Sequence, residues 1–170
     1  AISGGEQQLL AIARCLAEHL LRQGYQVVGC SRQPADWEAP GYSHVQADVS
    51  EEEQVAKLFR GIRQQHGGLD VAINNAAVAS MNHVLLTPAS TIEKMLRVNV
   101  MGTFLVCREA AKLMKPRGTG RIVNMSSLAV PMRLEGQSAY VASKAGVEAM
   151  SQVLARELAD FGITVNVIGP

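Results

Sequence analysis

The stretch Gly120-Arg121-Ile122-Val123-Asn124-Met125-Ser126-Ser127 is followed by a helical pattern over 138–160 and then by Ile163-Thr164-Val165-Asn166-Val167-Ile168. Two short aliphatic runs thus flank a periodic segment far too long for a hairpin turn. Antiparallel strands are joined by tight turns, whereas parallel strands need a crossover of this kind. The stretch reads as one strand–helix–strand unit.

The alternation extends upstream. Residues 6–22 carry Leu9, Ile12, Ala13, Leu16 and Leu20 at helical spacing, and Gly24 reads as the stop. Short strands are expected at 26–30, 44–47 and 69–74. A loop containing Pro34, Trp37 and Pro40 fills 31–42. Ser50 and Glu53 have the spacing of a capping box, opening a helix that ends at Gly67-Gly68. After an irregular 76–86, Thr87-Pro88 opens a long helix towards Met114, stopped by Pro116 and Gly118. A loop of small and polar residues leads from the strand at 121–125 to the helix at 138–160. Strands separated by helices imply an α/β domain, a doubly wound parallel sheet covered on both faces. Ligands of such sheets bind at the carboxyl ends of the strands. Those ends are Cys30-Ser31-Arg32, Asp48-Val49, Asn74 to Ala77 and Asn124 to Ser127.

Composition agrees. The 170 residues suit one domain, 1–170, and 48% hydrophobic against 18% charged residues excludes intrinsic disorder. Aromatics are only 4%, so the core must be aliphatic. A net charge of +1 lacks the basic footprint of a nucleic-acid binder. No apolar run approaches the roughly 18 residues of a membrane span, and no signal peptide is visible. Cys15, Cys30 and Cys107 match neither a disulfide framework nor a metal pattern. They read as buried hydrophobes in a reducing, cytoplasmic compartment.

The chemistry-bearing residues lie at the strand ends and on the last helix. Tyr140 and Lys144 are four apart and share one helix face. A phenol with a reference pKa of about 10 exchanges protons poorly at neutral pH, and a neighbouring ammonium favours its phenolate. Such a pair can act as general acid in one direction and base in the other. Taken alone, it is also a common arrangement on a solvated helix face. Ser126 and Ser127 sit where a ligand would lie. One hydroxyl there can hold a carbonyl oxygen, and Ser126 reads as satisfying loop backbone. Asn74-Asn75-Ala76-Ala77 joins two amides to two tiny residues, which allows close approach by a flat or phosphate-bearing ligand. The plain alternative is an ordinary turn. Asn99 falls mid-helix, where Asn is a mediocre helix former; the plain reading there is an exposed or cap-competing side chain.

Together these motifs closely resemble the short-chain dehydrogenase/reductase family, over about residues 18–170. Asp48-Val49, Asn74-Asn75-Ala76-Ala77, Arg97-Val98-Asn99, residues 120–127, Tyr140 to Lys144 and residues 163–170 stand in family order and spacing. The nearest flavour is the 3-oxoacyl-carrier-protein-reductase-like group. The resemblance implies a Rossmann-like fold and hydride transfer between a nicotinamide and a carbonyl or alcohol, with the hard step carried by the cofactor. It implies Tyr140 as proton donor or acceptor at the substrate oxygen and Ser127 as the group orienting that oxygen. Lys144 would bind the nicotinamide ribose and lower the Tyr140 pKa, and Asn99 would hold a water in a proton relay. Asp48 and Val49 would contact the adenine, and Asn75, Ala76 and Ala77 would line the cofactor. A homo-oligomer assembled through the two long helices is also implied. An acid at the end of the second strand of the fold selects NAD, and an Arg there accommodates the phosphate of NADP. Here Cys30-Ser31-Arg32 carries no acid, which favours NADP(H) over NAD.

The ends depart from the family pattern. Ala11-Ile12-Ala13-Arg14 stands where the family reads Gly-Ile-Gly-Arg, three residues too far from Gly4, and Glu6 puts a negative charge where phosphate would approach. Residues 2–14 instead resemble the signature motif of ABC-type ATPases, although a Gly-x-x-x-x-Gly-Lys-Ser/Thr loop is absent. This reading makes the chain a hybrid, truncated at both ends. Its first strand is reduced to residues 1–3, and the segment beyond Gly169-Pro170 is missing. The competing functions are therefore a reductase or dehydrogenase, a non-catalytic scaffold with weak nucleotide affinity and, last, an ABC fragment.

Overall fold

The computed structural model describes residues 4–169, with side chains from residue 8 onward. Helix α1 spans Gly4–Arg22, β1 Val27–Ser31, β2 Tyr42–Gln46, α2 Glu52–His66 and β3 Val71–Asn74. Helix α3 (Ala89–Met95) and α4 (Thr103–Met114) follow, then β4 (Gly120–Met125), α5 (Ala129–Met132), α6 (Ser138–Leu158) and β5 (Ile163–Ile168). Among the described residues every strand pairing is parallel.

The expected single sheet is found in two pieces among the described residues, β1 with β2 and β3-β4-β5. A doubly wound sheet has the order 3-2-1-4-5-6, and these pieces are what flank its first strand. The segment expected to supply that strand, residues 1–3, lies outside the described residues.

One core joins the two pieces. Helix α2 buries Val55, Leu58, Phe59 and Ile62 at helical spacing, against Leu105, Cys107, Ala110 and Met114 of α4. Ala72, Ile122, Ile163 and Val165 meet them from β3, β4 and β5, and Val28 and Cys30 of β1 pack on the same cluster. Strand side chains alternate, so Gly29 faces the opposite side. A Cβ there would come within 2.2 Å of the Tyr42 hydroxyl. Tyr42 stacks on Trp37 with ring centroids 4.2 Å apart, and the Arg14 guanidinium of α1 lies 5.3 Å from the Trp37 ring. Helix α1 therefore covers the face opposite α2, α4 and α6.

Local chemistry overrides several sequence expectations. The capping box does not form. Glu51 is the N-cap of α2 and makes no side-chain cap bond. The Ser50 hydroxyl instead donates to Asp48 Oδ1 at 2.7 Å and its amide donates there at 2.9 Å, so the amide that the box would give to the Glu53 carboxylate is already taken. The loop expected over 31–42 is shorter, since Ser31 and Tyr42 end and begin strands. The long helix is not uniform. Pro88 stands at the N-cap of α3, a π-helical turn occupies Leu96–Gly102, and α4 resumes at Thr103. A four-residue helix, α5, occupies part of the expected loop after β4.

The buried stripe of α6 is mostly polar: Ser143, Lys144, Val147 and Ser151. A polar bridge crosses the core beneath it. Asn74 Nδ2 donates to Asn124 Oδ1 at 2.8 Å, and Asn124 Nδ2 donates to Ser151 Oγ at 2.8 Å. Asn124 is fully buried. Truncating it removes one bond each from Asn74 and Ser151 and opens a small hole. We expect Asn124→Ala to lower the unfolding free energy by about 2–4 kcal/mol with an unchanged denaturant slope, as read by urea titration.

Candidate active site

The carboxyl end of β4 is drawn onto α6. Lys144 Nζ donates to the Met125 carbonyl at 2.8 Å. Its ammonium lies 6.0 Å from the centroid of the Tyr140 ring, one turn earlier on the same helix. Lys144 is only 4% exposed. Burial disfavours its charged form, which lowers its pKa to about 8. Ser127 follows two residues after Met125, and its Oγ accepts the Ala129 amide at 3.2 Å at the start of α5. Among the described residues nothing accepts the Ser127 or Tyr140 hydroxyl proton. The structure thus brings Lys144 to the strand end that carries Ser127, with Tyr140 on the same helix face.

Asn99 lies in the π-helical turn and is buried, which corrects the exposed reading. Its Oδ1 accepts the Val78 amide at 2.8 Å, and its Nδ2 donates to the Val78 carbonyl and to Ser143 Oγ, both at 2.9 Å. The amide therefore clamps the segment after β3 to α6, beside Lys144. Its own carbonyl accepts the Thr103 hydroxyl at 2.7 Å. Widened turns of this kind recur at functional sites.

Asn75 follows β3. Its Nδ2 donates to the Leu9 carbonyl of α1 at 2.8 Å, while its Oδ1 is buried without a partner among the described residues. Ala76 is exposed and Ala77 half-buried beside it. At the other sheet piece, the Ser31 hydroxyl donates to the Gln33 carbonyl at 2.7 Å and lies 2.9 Å from His44 Nε2. The Arg32 carbonyl accepts from Gln46, and the Arg32 side chain is exposed. Asp48 is half-buried, and burial works to raise its pKa. The two Ser50 bonds and the charges of Arg32 and Arg97 outweigh burial and hold the carboxyl below its usual value. Val49 packs on the π-helical turn, where a Cβ at Gly102 would come within 3.0 Å of it.

Ser126, read from sequence as a backbone-satisfying loop residue, is buried and donates to the Glu148 carboxylate of α6. Glu148 escaped the sequence analysis. Its signal was its place four residues after Lys144, on the same helix face. The Met125 carbonyl left no sequence signal, because backbone acceptors have no residue code.

Residues 5–170 match the family model described as short chain dehydrogenase. The chain belongs to that family. The match takes in most of the segment that resembles the ATPase signature. A "Short-chain type dehydrogenase/reductase" of Picea abies is 43% identical over 126 residues, covering 73% of this chain and 46% of the relative. "NADPH-dependent aldehyde reductase 2, chloroplastic" of Arabidopsis thaliana is 35% identical over 185 residues, covering 94% and 67%. The crystal structure of a short-chain dehydrogenase from Streptomyces avermitilis superposes with a TM-score of 0.87 at 29% identity, over 92% of this chain and 61% of that one. The fold is Rossmann-like. The chain spans about half the length of the first curated relatives it matches, 46% and 51%. Among the described residues no helix is long and apolar enough to cross a membrane.

The Lys144 environment has a signature in stability. Its pKa of about 8 in the folded protein lies below the ordinary 10.5. Between these values the unfolded chain binds more protons, so this group makes stability rise with pH. The gain is of order 3 kcal/mol, complete above the unfolded value. Chemical denaturation from pH 7 to 11 should show this rise in the wild type relative to Lys144→Met, which lacks the titrating amine.

Proposed function

We propose that the protein is an NADP(H)-dependent oxidoreductase that interconverts a carbonyl and an alcohol. The observation that carries this reading is the buried Lys144 ammonium, held at the end of β4 and 6.0 Å from the Tyr140 ring. No described residue accepts the Tyr140 hydroxyl proton, so Tyr140 can give it to a substrate oxygen and take it back. The Ser127 hydroxyl, with its proton unclaimed, orients that oxygen and stabilises its developing charge.

The residues present fit a dinucleotide. The orphaned Asn75 Oδ1 accepts a donor from the nicotinamide half, and Lys144 has ammonium protons left for ribose hydroxyls. Ala76 and Ala77 leave room for the backbone of that half to be approached closely. Val49 and Asp48 border the adenine. Ser31 and Arg32, with no acid at that strand end, favour the extra phosphate of NADP. The bound cofactor supplies the hydride. The protein residues bind and orient, and Tyr140 moves the proton at the substrate oxygen. The Asn99 amide is fully engaged with Val78 and Ser143, so any water of a proton relay rests on groups that this clamp positions rather than on the amide itself. The Arabidopsis relative, whose name includes NADPH and aldehyde reductase, supports the cofactor and substrate class. Exposed Met101, Phe104 and Val153 on the long helices favour a homo-oligomer.

Two measurements test this. Fluorescence titration should show NADPH binding tighter than NADH or ATP, and Arg32→Ala should weaken NADPH by about tenfold while sparing NADH, the loss of one charge-assisted contact. Absence of dinucleotide binding favours the scaffold reading, and binding of ATP alone favours the ATPase fragment. With an aldehyde probe, Tyr140→Phe should lower kcat by roughly 100-fold or more and leave NADPH binding intact. Undiminished turnover removes Tyr140 from the chemistry.

A further inference from the structure

Among the described residues Glu148 is the one carboxylate bonded at the end of β4, and the proposed chemistry gives it no role. The strand end meets α6 in three successive bonds. Asn124 reaches Ser151, the Met125 carbonyl receives Lys144, and the Ser126 hydroxyl donates to Glu148. Asn124 and Ser126 are two apart and point to the same side of the strand. Lys144, Glu148 and Ser151 stand at helical spacing on α6. The Ser126 amide is held by the Ile168 carbonyl at 2.7 Å, so Ser126 is anchored on both its backbone and its side chain. Ser127 comes next, with no bond from its hydroxyl proton.

We infer that Glu148 is a positioning residue: by holding Ser126 it fixes the strand end so that Ser127 stands in register with Tyr140 and Lys144. This rests on the reading of those three residues as the catalytic group. A carboxylate suits the task because its bond to a buried hydroxyl is charge-assisted and stronger than a neutral one. Its place one turn beyond Lys144 ties Ser127 to the helix that carries the other two groups. A displacement of about 1 Å at such a group costs up to roughly 100-fold in rate.

The test compares Glu148→Ala and Glu148→Gln in the full chain, with Tyr140→Phe alongside. Turnover is followed with NADPH and 4-nitrobenzaldehyde, and exchange of the Ser126 amide is followed by NMR. Glu148→Ala should lower kcat by about tenfold or more and leave NADPH affinity within about twofold, because the lost element is orientation in the transition state. Glu148→Gln, which keeps an acceptor of the same shape, should recover most of kcat. The Ser126 amide should exchange faster in the alanine variant while amides of α2 do not change. Unchanged kcat in Glu148→Ala, with Tyr140→Phe inactive, overturns the positioning role and leaves the catalytic reading standing. Equal loss in both variants overturns it too, since a hydrogen-bond role predicts rescue. Unchanged Ser126 exchange shows that Glu148 does not hold the strand end, whatever the turnover. If Tyr140→Phe keeps full turnover, the catalytic reading fails, and the positioning role falls with it.

Discussion

The structure depends on one buried ammonium. Lys144 sits almost wholly out of water, and its bond to the Met125 carbonyl is the place where α6 and the end of β4 meet. Burying a charge is costly unless it is given partners. The fold meets that cost partly by lowering the pKa and partly by surrounding the amine with ordered polar groups. Asn99 and Ser143 are bonded beside it, and Ser126 and Glu148 lie one turn on. A polar stripe on α6 is therefore the buried one, where an ordinary amphipathic helix would bury its aliphatic residues.

This arrangement separates two jobs. The aliphatic cluster of α2, α4 and the strands supplies most of the burial and has no part in chemistry. The polar layer between β3, β4 and α6 adds less to stability and more to geometry. Its Asn74–Asn124–Ser151 bridge sets the register of two strands against one helix. Fully satisfied buried networks of this kind specify a unique arrangement, and a single missing partner is costly. Asn75 Oδ1, at the carboxyl end of β3, and Gln137 Oε1, at the start of α6, are buried with no partner among the described residues.

Much of the fold was legible in the residues. The strand runs at 69–74, 121–125 and 163–168 and the helix stops at Gly67 and Gly162 needed only local patterning. Tyr140, Lys144 and Ser127 were legible as a constellation because their types and spacing are rare together. The capping box at Ser50 was not, because Asp48 takes the Ser50 amide that the box would give to Glu53. The π-helical turn was not, because it accompanies bonds between Asn99 and Val78 and Ser143, 21 and 44 residues away. Glu148 was hidden for a similar reason, since its partner Ser126 lies 22 residues earlier.

The sequence by itself determined the α/β class, the parallel strands and the identity of the candidate proton-handling residues. Those follow from apolar periodicity, turn residues and side-chain chemistry, all local properties. Only the tertiary structure decided which hydroxyls keep a free proton, which amides are spent on clamping backbone, and that the Lys144 ammonium is buried. Those depend on which groups meet across the fold, and burial and long-range hydrogen bonding set them rather than the type of the residue.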